Sequence, residues 1–268
     1  MKAVKFFLPL ALLATTVHAE APVNHATMEL VAQNTQSVVW MQNAGEYRAL
    51  CYQAYNTAKM AFDLAKSQHQ GKLAVMVDLD ETMVDNSPYA AWQILHHQGF
   101  TDQGWDEWVN SVQTPALPGA VELANYVTEQ GGTMFYVSNR SERTFAATKE
   151  NLQKLGFPNV TDFTLRLKKD TSNKAPRLQS IKDDGYNVVV FMGDNLNDFP
   201  ELNTYHQLNQ DRNAVADANK DAFGHKFIML PNPSYGDWEP GLTKGYYQLN
   251  DADKVRVREQ SLKSWQQK

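Results

Sequence analysis

The sequence has 268 residues, of which 43% are hydrophobic, and its formal net charge is −5. A chain of this length can bury a substantial core, as one large domain or as one with an accessory lobe. It has no long basic block, which argues against a nucleic-acid partner. Cys51 is its single cysteine, so an internal disulfide is excluded, and we expect this thiol to pack as a small hydrophobic side chain.

The first 19 residues have the pattern of a signal peptide. Lys2 and Lys5 precede an apolar segment over 6–16, and the segment 17–19 places small residues where a signal peptidase cuts. The apolar segment is too short for a transmembrane helix. We predict cleavage after Ala19 and a periplasmic or secreted protein.

The segment 20–70 is predicted to be helical. Between Ala26 and Lys66 apolar residues recur every three or four positions, with little glycine or proline. The exception is the stretch Asn43-Ala44-Gly45, which predicts a break between two helices.

The rest of the chain, residues 71–268, is predicted to be the main body, and it opens with its most informative stretch. Residues 73–77 form a short apolar run typical of a buried strand, and Asp78 and Asp80 follow at once. Ligands of open α/β sheets bind at the carboxyl ends of strands. Two adjacent carboxylates repel, so either one of them is protonated or both bind a cation. We expect both a nucleophile beside a general acid and a metal site.

An insertion over about 84–118 separates this strand from the next helix. It is longer than an ordinary strand-to-helix loop, and its position after a candidate site strand indicates a cap. Phe100 and Trp105 lie beside glycines and are candidates to line a pocket for a flat ring. We assign Trp92 and Trp108 to packing within the cap.

Strands and helices then alternate, which predicts a parallel sheet joined by right-handed crossovers. The fold class is a three-layer, Rossmann-like α/β fold with a smaller helical cap lobe. We predict helices over 119–130, 142–155 and 175–183, and strands over 133–137, 163–167, 188–192 and 226–230.

Polar residues follow three of these strands and can be combined into one site. Asp78 is the candidate nucleophile that would attack phosphorus. Asp80 would protonate the leaving oxygen and later deprotonate water. Ser138 and the backbone N–H groups around Asn139 would hold the phosphoryl oxygens.

The remaining candidates carry charge. Asp194 would complete a cation site with Asp78, and its hard oxygen ligands suit Mg²⁺. Lys174 would neutralise phosphate charge and the Asp78 carboxylate. Asp198 would orient Lys174 or metal-bound water.

These residues carry a resemblance. Asp78-x-Asp80-x-Thr82, Ser138, Lys174 and Gly193-Asp194-x-x-x-Asp198 are similar, in this order, to the four signatures of the haloacid dehalogenase-like hydrolase superfamily. The longer strings VDLDETMVDNSPY, FMGDNLNDF and LPNPSYGDWE resemble the bacterial class C acid phosphatases.

The resemblance implies a Mg²⁺-dependent acid phosphomonoesterase that acts on nucleoside 5′-monophosphates, including nicotinamide mononucleotide. It implies metal ligation by the side chains of Asp78 and Asp194, with Asp198 in the metal set, and by the backbone carbonyl of Asp80. Thr82 and Asn139 join the residues that contact substrate. Tyr235 and a cap aromatic, Phe100 or Trp105, would hold the substrate's ring between them. Members of this family often form homodimers, and many carry a lipid-anchoring cysteine at the cleavage site, which this sequence lacks.

Other classes were weighed against this one. A calcium loop starting at Asp78 would need Gly and Glu where Met83 and Tyr89 stand, and no zinc-binding or serine-hydrolase motif occurs. Two alternatives stay open: an exported protein that binds nucleotide or phosphate without turnover, and a phosphotransferase that uses the same site.

Overall fold

The computed structural model describes residues 24–266, so the predicted signal peptide lies outside the described residues. Within that range the chain alternates between helices and strands. The helices are α1 His25–Ala32, α2 Thr35–Asn43, α3 Gly45–Gln68, α4 Ser87–Leu95, α5 Asp102–Asn110, α6 Ala120–Glu129, α7 Phe145–Leu155, α8 Ala175–Asp183, α9 Asn209–Ala218 and α10 Asp251–Gln260. The strands are β1 Lys72–Val77, β2 Thr133–Ser141, β3 Leu165–Lys168, β4 Tyr186–Gly193 and β5 Phe227–Met229.

The five strands form one parallel sheet in the order β3-β2-β1-β4-β5. The central strand β1 pairs with β2 on one side and with β4 on the other. Val77, its last residue, stands beside Tyr136 of β2 and Met192 of β4. From β1 the chain adds β2 and β3 on one side and then crosses to the other side of β1 to form β4 and β5. Ligands of open α/β sheets bind at the carboxyl ends of the strands where the strand order reverses in this way.

Helices cover both faces of the sheet, and alternate residues of β1 therefore pack in two different hydrophobic clusters. Val75 and Val77 pack in a cluster with residues of α3 and α6, whereas Met76 packs in a second cluster with residues of α8. A strand buried on both faces has a continuous apolar sequence, as residues 73–77 do. The predicted three-layer α/β fold is confirmed.

The helices before β1 pack on the body and on the insertion. The predicted break near Asn43 is confirmed, since α2 ends there and α3 begins at Gly45, but the prediction of two helices is wrong, because a turn at Gln33 and Asn34 divides the first of them into α1 and α2. The helix α3 contacts α6, β4 and β5, and Cys51 on this helix is fully buried. The insertion contains α4, which contacts α1 and α2, and α5, which contacts α7. The boundaries of the three predicted segments stay predictions.

The structure differs from the sequence-based expectation at several element ends. Strand β2 runs four residues beyond the predicted end at 137, with a register shift between Val137 and Ser141. Helix α7 begins at Phe145, after a 3-10 turn over Glu142–Thr144. We did not predict α9 or α10, because each buries a single residue and their apolar periodicity is correspondingly weak. Among residues 24–266 no helix has the length and apolar character needed to cross a membrane.

Candidate active site

The candidate site lies at the carboxyl ends of β1, β2 and β4. Asp78 comes directly after β1, and its backbone N–H donates to the carbonyl of Met192 at 2.9 Å, which joins the ends of β1 and β4. Asp194 follows the last residue of β4. The structure therefore brings together the aspartates that follow two neighbouring strands, as expected for a parallel sheet.

A buried lysine lies between two of the carboxylates. Lys174 is 1% exposed, and its Nζ lies 2.8 Å from Oδ1 of Asp198 and also forms an ion pair with Oδ1 of Asp78. Burial alone would lower the pKa of Lys174, but the carboxylates of Asp198 and Asp78 raise it above its usual value. The ammonium group is therefore charged and fixed between the two acids.

Asp78, Asp194 and Asp198 form a cluster in which one carboxylate oxygen from each lies within 4.8 Å of the others. The Oδ1 of Asp194 accepts a hydrogen bond from Thr82 at 3.2 Å, and its Oδ2 accepts one from Asn232 at 2.8 Å. Burial, together with the charges of Asp198 and Asp78, raises the pKa of Asp194 well above its usual range.

These observations test whether the cluster suits a divalent metal ion. Burial raises the pKa of Asp78 as well, against the opposing charge of Lys174. Three crowded carboxylates with one lysine hold more negative than positive charge, and hard oxygen ligands are those that Mg²⁺ prefers. The residues present fit such an ion.

The loop after β4 is held by its own turn. The Oδ2 of Asp198 accepts the backbone N–H of Asn195 at 2.9 Å, while the Asn195 side chain accepts from Asn197 at 3.1 Å. A Cβ added at Gly193 would lie 2.2 Å from Cβ of Asp198. The close approach that places Asp198 beside Lys174 therefore requires glycine at this position.

Asp80 lies against a buried arginine that the sequence interpretation missed. Arg140 is 2% exposed, and its Nε and Nη2 lie 2.9 and 2.8 Å from Oδ1 of Asp80. Asn86 donates to the same oxygen at 2.9 Å. Ser138 donates to Oδ2 of Asp80 at 3.3 Å and accepts the backbone N–H of Arg140 at 3.0 Å. The position of Arg140 beside Ser138 and Asn139 was the available signal.

A second arginine, Arg177, connects Ser138 and Asn139 to the loop that precedes Lys174. Arg177 donates to the carbonyl of Ser138 and to Oδ1 of Asn139, both at 2.6 Å. It also donates to the carbonyl of Ser172 at 3.2 Å. Asn139 itself is exposed, and its side chain points to this arginine. The sequence interpretation gave Arg177 no role, since an arginine inside a helix has no local signature.

The loop that follows β5, which we call the late loop, reaches the site through Tyr235. Its hydroxyl donates to the buried carboxyl of Glu81, while the side chain as a whole is 41% exposed. Burial and the charge of Asp80 raise the pKa of Glu81 to about 8, against the hydrogen bonds from Tyr235 and Asn86. The tyrosine is thus anchored at its hydroxyl end, and part of the residue is open to solvent.

The two cap aromatics occupy different environments. Phe100 is 64% exposed, whereas Trp105 is partly buried with its ring 5.8 Å from the guanidinium of Arg140. The two ring centroids are 6.3 Å apart. Trp105 therefore lies toward Asp80 and Phe100 lies outward, and contact of either ring with substrate stays a prediction.

A family model and two solved structures match this chain over most of its length. The family described as HAD superfamily, subfamily IIIB (Acid phosphatase) matches residues 8–238. The class C acid phosphatase of Bacillus anthracis is 36% identical and superposes with a TM-score of 0.84 over 89% of this chain and 100% of that one. Its tungstate-bound structure is 35% identical, with the same TM-score and coverage.

Two curated plant proteins are also similar to this chain. Acid phosphatase 1 of Solanum lycopersicum is 31% identical over 133 residues, which are 48% of this chain and 52% of that protein. The stem 28 kDa glycoprotein of Glycine max is 29% identical over 126 residues, 45% of this chain and 50% of that protein. The chain thus spans about half the length of the curated relatives that it matches.

Proposed function

Since the chain belongs to the HAD superfamily, subfamily IIIB acid phosphatases, we propose that it hydrolyses phosphate monoesters through a phosphorylated Asp78. The observation that carries this proposal is the environment of Asp78. Its carboxylate is at the end of the central strand, paired with buried Lys174, and lies in a cluster with Asp194 and Asp198. A nucleophilic carboxylate beside a fixed cation and a metal-binding cluster is what phosphoryl transfer requires.

The reaction would proceed in two displacements. An oxygen of Asp78 forms a bond to phosphorus while the bond from phosphorus to the ester oxygen breaks. The ester oxygen keeps the electron pair and takes a proton from Asp80. Water then attacks phosphorus and gives a proton to Asp80, the bond between phosphorus and Asp78 breaks, and inorganic phosphate is released.

Positive charge and hydrogen bonds would hold the phosphoryl oxygens during both steps. Lys174 supplies a fixed charge, and Ser138 supplies a hydroxyl 3.3 Å from Asp80. Arg177 holds the backbone at Ser138 and Asn139 in place. The tungstate bound to the Bacillus anthracis enzyme is an oxyanion, as phosphate is, and this supports an oxyanion pocket in the same fold.

We assign Mg²⁺ to the carboxylate cluster on the chemistry of its donors. Asp78, Asp194 and Asp198 would hold it, together with the backbone carbonyl of Asp80. When bound, the ion would neutralise charge on the transferring phosphoryl group. The raised pKa of Asp194 fits a carboxylate that a cation normally accompanies.

For the substrate we propose nucleoside 5′-monophosphates, including nicotinamide mononucleotide. Tyr235 offers a partly exposed aromatic residue held by its hydroxyl, and Phe100 and Trp105 offer aromatic surface on the cap side. Stacking of a base on an aromatic ring contributes about 1–3 kcal/mol. A preference for substrates with a flat ring follows from this arrangement.

The test is phosphate release from a panel of monoesters at mildly acidic pH: nicotinamide mononucleotide, adenosine monophosphate, an aryl phosphate and a sugar phosphate. Each is assayed with Mg²⁺ and with EDTA. We expect metal-dependent release that is fastest for the nucleotides. Equal release from all esters would contradict the aromatic site but keep the reaction, and binding without release would indicate a nucleotide- or phosphate-binding protein. Adding an alcohol acceptor to the same assay measures phosphotransferase activity.

Two further expectations depend on biological context. We propose that the chain is periplasmic or secreted after cleavage near Ala19, which cell fractionation and amino-terminal sequencing would test. We also propose that the protein forms a homodimer and has no nucleic-acid partner. Light scattering of the purified protein would measure its oligomeric state.

A further inference from the structure

We propose that Arg140 is a positioning residue that fixes the Asp80 carboxylate so that Oδ2 alone exchanges the proton with the ester oxygen, and that the cap holds Arg140 in place. This inference rests on the proposed phosphatase function, in which Asp80 is the general acid and base. It assigns a different role to each oxygen of Asp80: hydrogen bonds hold Oδ1, and Oδ2 exchanges the proton.

Three nitrogen atoms surround Oδ1 of Asp80. Nε and Nη2 of Arg140 and Nδ2 of Asn86 all lie within 2.8–2.9 Å of this oxygen. Two of these nitrogens, Nε of Arg140 and Nδ2 of Asn86, donate hydrogen bonds that occupy both lone pairs of Oδ1, and Nη2 adds a charge contact, so Oδ1 has no capacity left to deliver or accept a proton. Hydrogen bonds to a charged group are also the stronger kind, which fixes the orientation of the carboxylate.

The other carboxylate oxygen of Asp80, Oδ2, lies in a different environment. Its hydrogen-bond partner among the described residues is the hydroxyl of Ser138, at 3.3 Å, beyond the usual length of a hydroxyl hydrogen bond. Asp80 is partly exposed, unlike its partner Arg140. Oδ2 is therefore the oxygen available to a substrate.

Arg140 and its neighbour Asn86 are in turn contacted by side chains of the cap. The ring of Trp105 lies 5.8 Å from its guanidinium, and the indole N–H of Trp108 donates to Asn86 Oδ1 at 2.8 Å. Both tryptophans belong to α5 in the insertion. One helix of the cap thus contacts the arginine directly and orients the asparagine that shares its target oxygen.

The consequence can be measured as a dependence on the leaving group. Protonation by Asp80 matters most when the ester oxygen belongs to a poor leaving group such as an alkyl alcohol, and least when it belongs to a nitrophenol. We compare kcat/KM for an alkyl phosphate and for a nitrophenyl phosphate, because kcat/KM reports the step that breaks the ester bond.

For Arg140→Gln we expect kcat/KM for the alkyl ester to fall by about 100-fold or more, and that for the nitrophenyl ester by less than about tenfold. Arg140→Lys keeps the charge and should recover part of the loss on the alkyl ester. The matched control is Arg256→Gln, which removes an exposed arginine of α10 that pairs with Asp253 and lies outside the insertion. It should leave the ratio of the two rates unchanged.

Because Arg140 is buried, its substitution could prevent folding, so a second variant tests the same inference. Trp108→Phe removes the N–H that orients Asn86, and it should slow the alkyl ester more than the nitrophenyl ester. Its control is Trp92→Phe, which changes a 45% exposed tryptophan of α4. The concentration of Mg²⁺ that gives half-maximal activity should stay within about twofold in all variants, since none of them alters the carboxylate cluster.

Different results would contradict the positioning role of Arg140 and the proposed phosphatase function. A loss that is equal for both esters in the Arg140 and Trp108 variants, with a fully active wild type, would overturn the positioning role of Arg140. Absence of phosphate release from every ester by the wild-type protein would overturn the proposed function itself. A selective loss on the alkyl ester supports the inference.

Discussion

The Nζ of Lys174 lies 2.8 Å from Oδ1 of Asp198, and the same ammonium group also pairs with Asp78. Both acids and the lysine are nearly inaccessible to solvent. Burying a cation and two carboxylates costs desolvation free energy. The folded state tolerates this cost only when the charges pair closely and their remaining hydrogen bonds are made. Its place at the strand ends, beside the metal-binding cluster, links the stability of the site to its chemistry.

The first prediction concerns Lys174→Met, which keeps most of the side-chain bulk and removes the charge. Asp78 and Asp198 would then face each other unpaired, and we expect the free energy of unfolding in EDTA to fall by about 3 kcal/mol. Denaturant unfolding measures this loss. Lys182→Met is the control, since it removes an exposed pair with Glu201 that contributes at most about 1 kcal/mol. A loss no larger than that of the control would contradict the structural role of Lys174.

The second prediction is that Mg²⁺ binding releases protons. Burial raises the pKa of Asp194 in the folded, metal-free protein, so this carboxyl group keeps its proton at pH values where an ordinary aspartate has lost it. The metal ion requires the carboxylate, and its apparent affinity should therefore increase as the pH rises toward that pKa. Calorimetric titration in buffers of different ionisation enthalpy measures the released protons.

Asp194→Asn removes one protonated group from the cluster, so the Mg²⁺ binding that remains should release fewer protons than in the wild type, with Asp78, whose pKa is also raised, as the remaining source. Asp183→Asn, on the exposed end of α8, should titrate like the wild type. Identical heats in every buffer for the wild-type protein would show that the cluster is already ionised before the metal binds.

The third prediction separates the ring of Tyr235 from its hydroxyl. Tyr235→Ala should raise KM for adenosine monophosphate by roughly 5- to 150-fold, the equivalent of about 1–3 kcal/mol of lost stacking, and should change KM for glycerol phosphate much less. Tyr235→Phe keeps the ring and loses the hydrogen bond to Glu81, so it should retain most of the preference for the nucleotide. If Tyr235→Ala affects the two substrates equally, the ring does not contact the base.

The fourth prediction concerns Cys51, which is fully buried on α3. Burial raises the pKa of its thiol to about 11, so the reactive thiolate is scarce at neutral pH. We expect a thiol-specific disulfide reagent to modify the native protein at least about 100-fold more slowly than the unfolded protein, in which one thiol reacts at once. Rapid modification without denaturant would show that the packing of α3 opens readily.

The sequence was sufficient to predict the fold class and to select Asp78, Lys174, Asp194 and Asp198, charged residues that the structure brings together. Residues 73–77 are apolar at every position because β1 is buried on both faces, and this makes the strand easy to recognise. The polar residues at strand ends are equally visible, since each follows an apolar run. By contrast, α10 buries only Val255 among its described side chains, so no periodic pattern marked it.

The residues that the sequence interpretation missed act through distant contacts. Arg140 meets Asp80 across 60 residues of chain, and Glu81, which was not predicted, meets the predicted Tyr235 across 154. Nothing in the local sequence states which of many arginines will face a given aspartate. Such pairings depend on the register of β2 and on the course of the late loop, and both are properties of the packed fold rather than of any short segment.

The most direct test of the account is to ask whether phosphate becomes attached to Asp78. The enzyme would be mixed with a nitrophenyl phosphate and Mg²⁺, quenched in acid during turnover, digested, and analysed by mass spectrometry, with Asp78→Asn treated in parallel. We predict a phosphoryl group on the wild-type peptide that contains Asp78 and none on the variant. Steady phosphate release by the Asp78→Asn variant, or a phosphoryl group on another residue, would contradict the account.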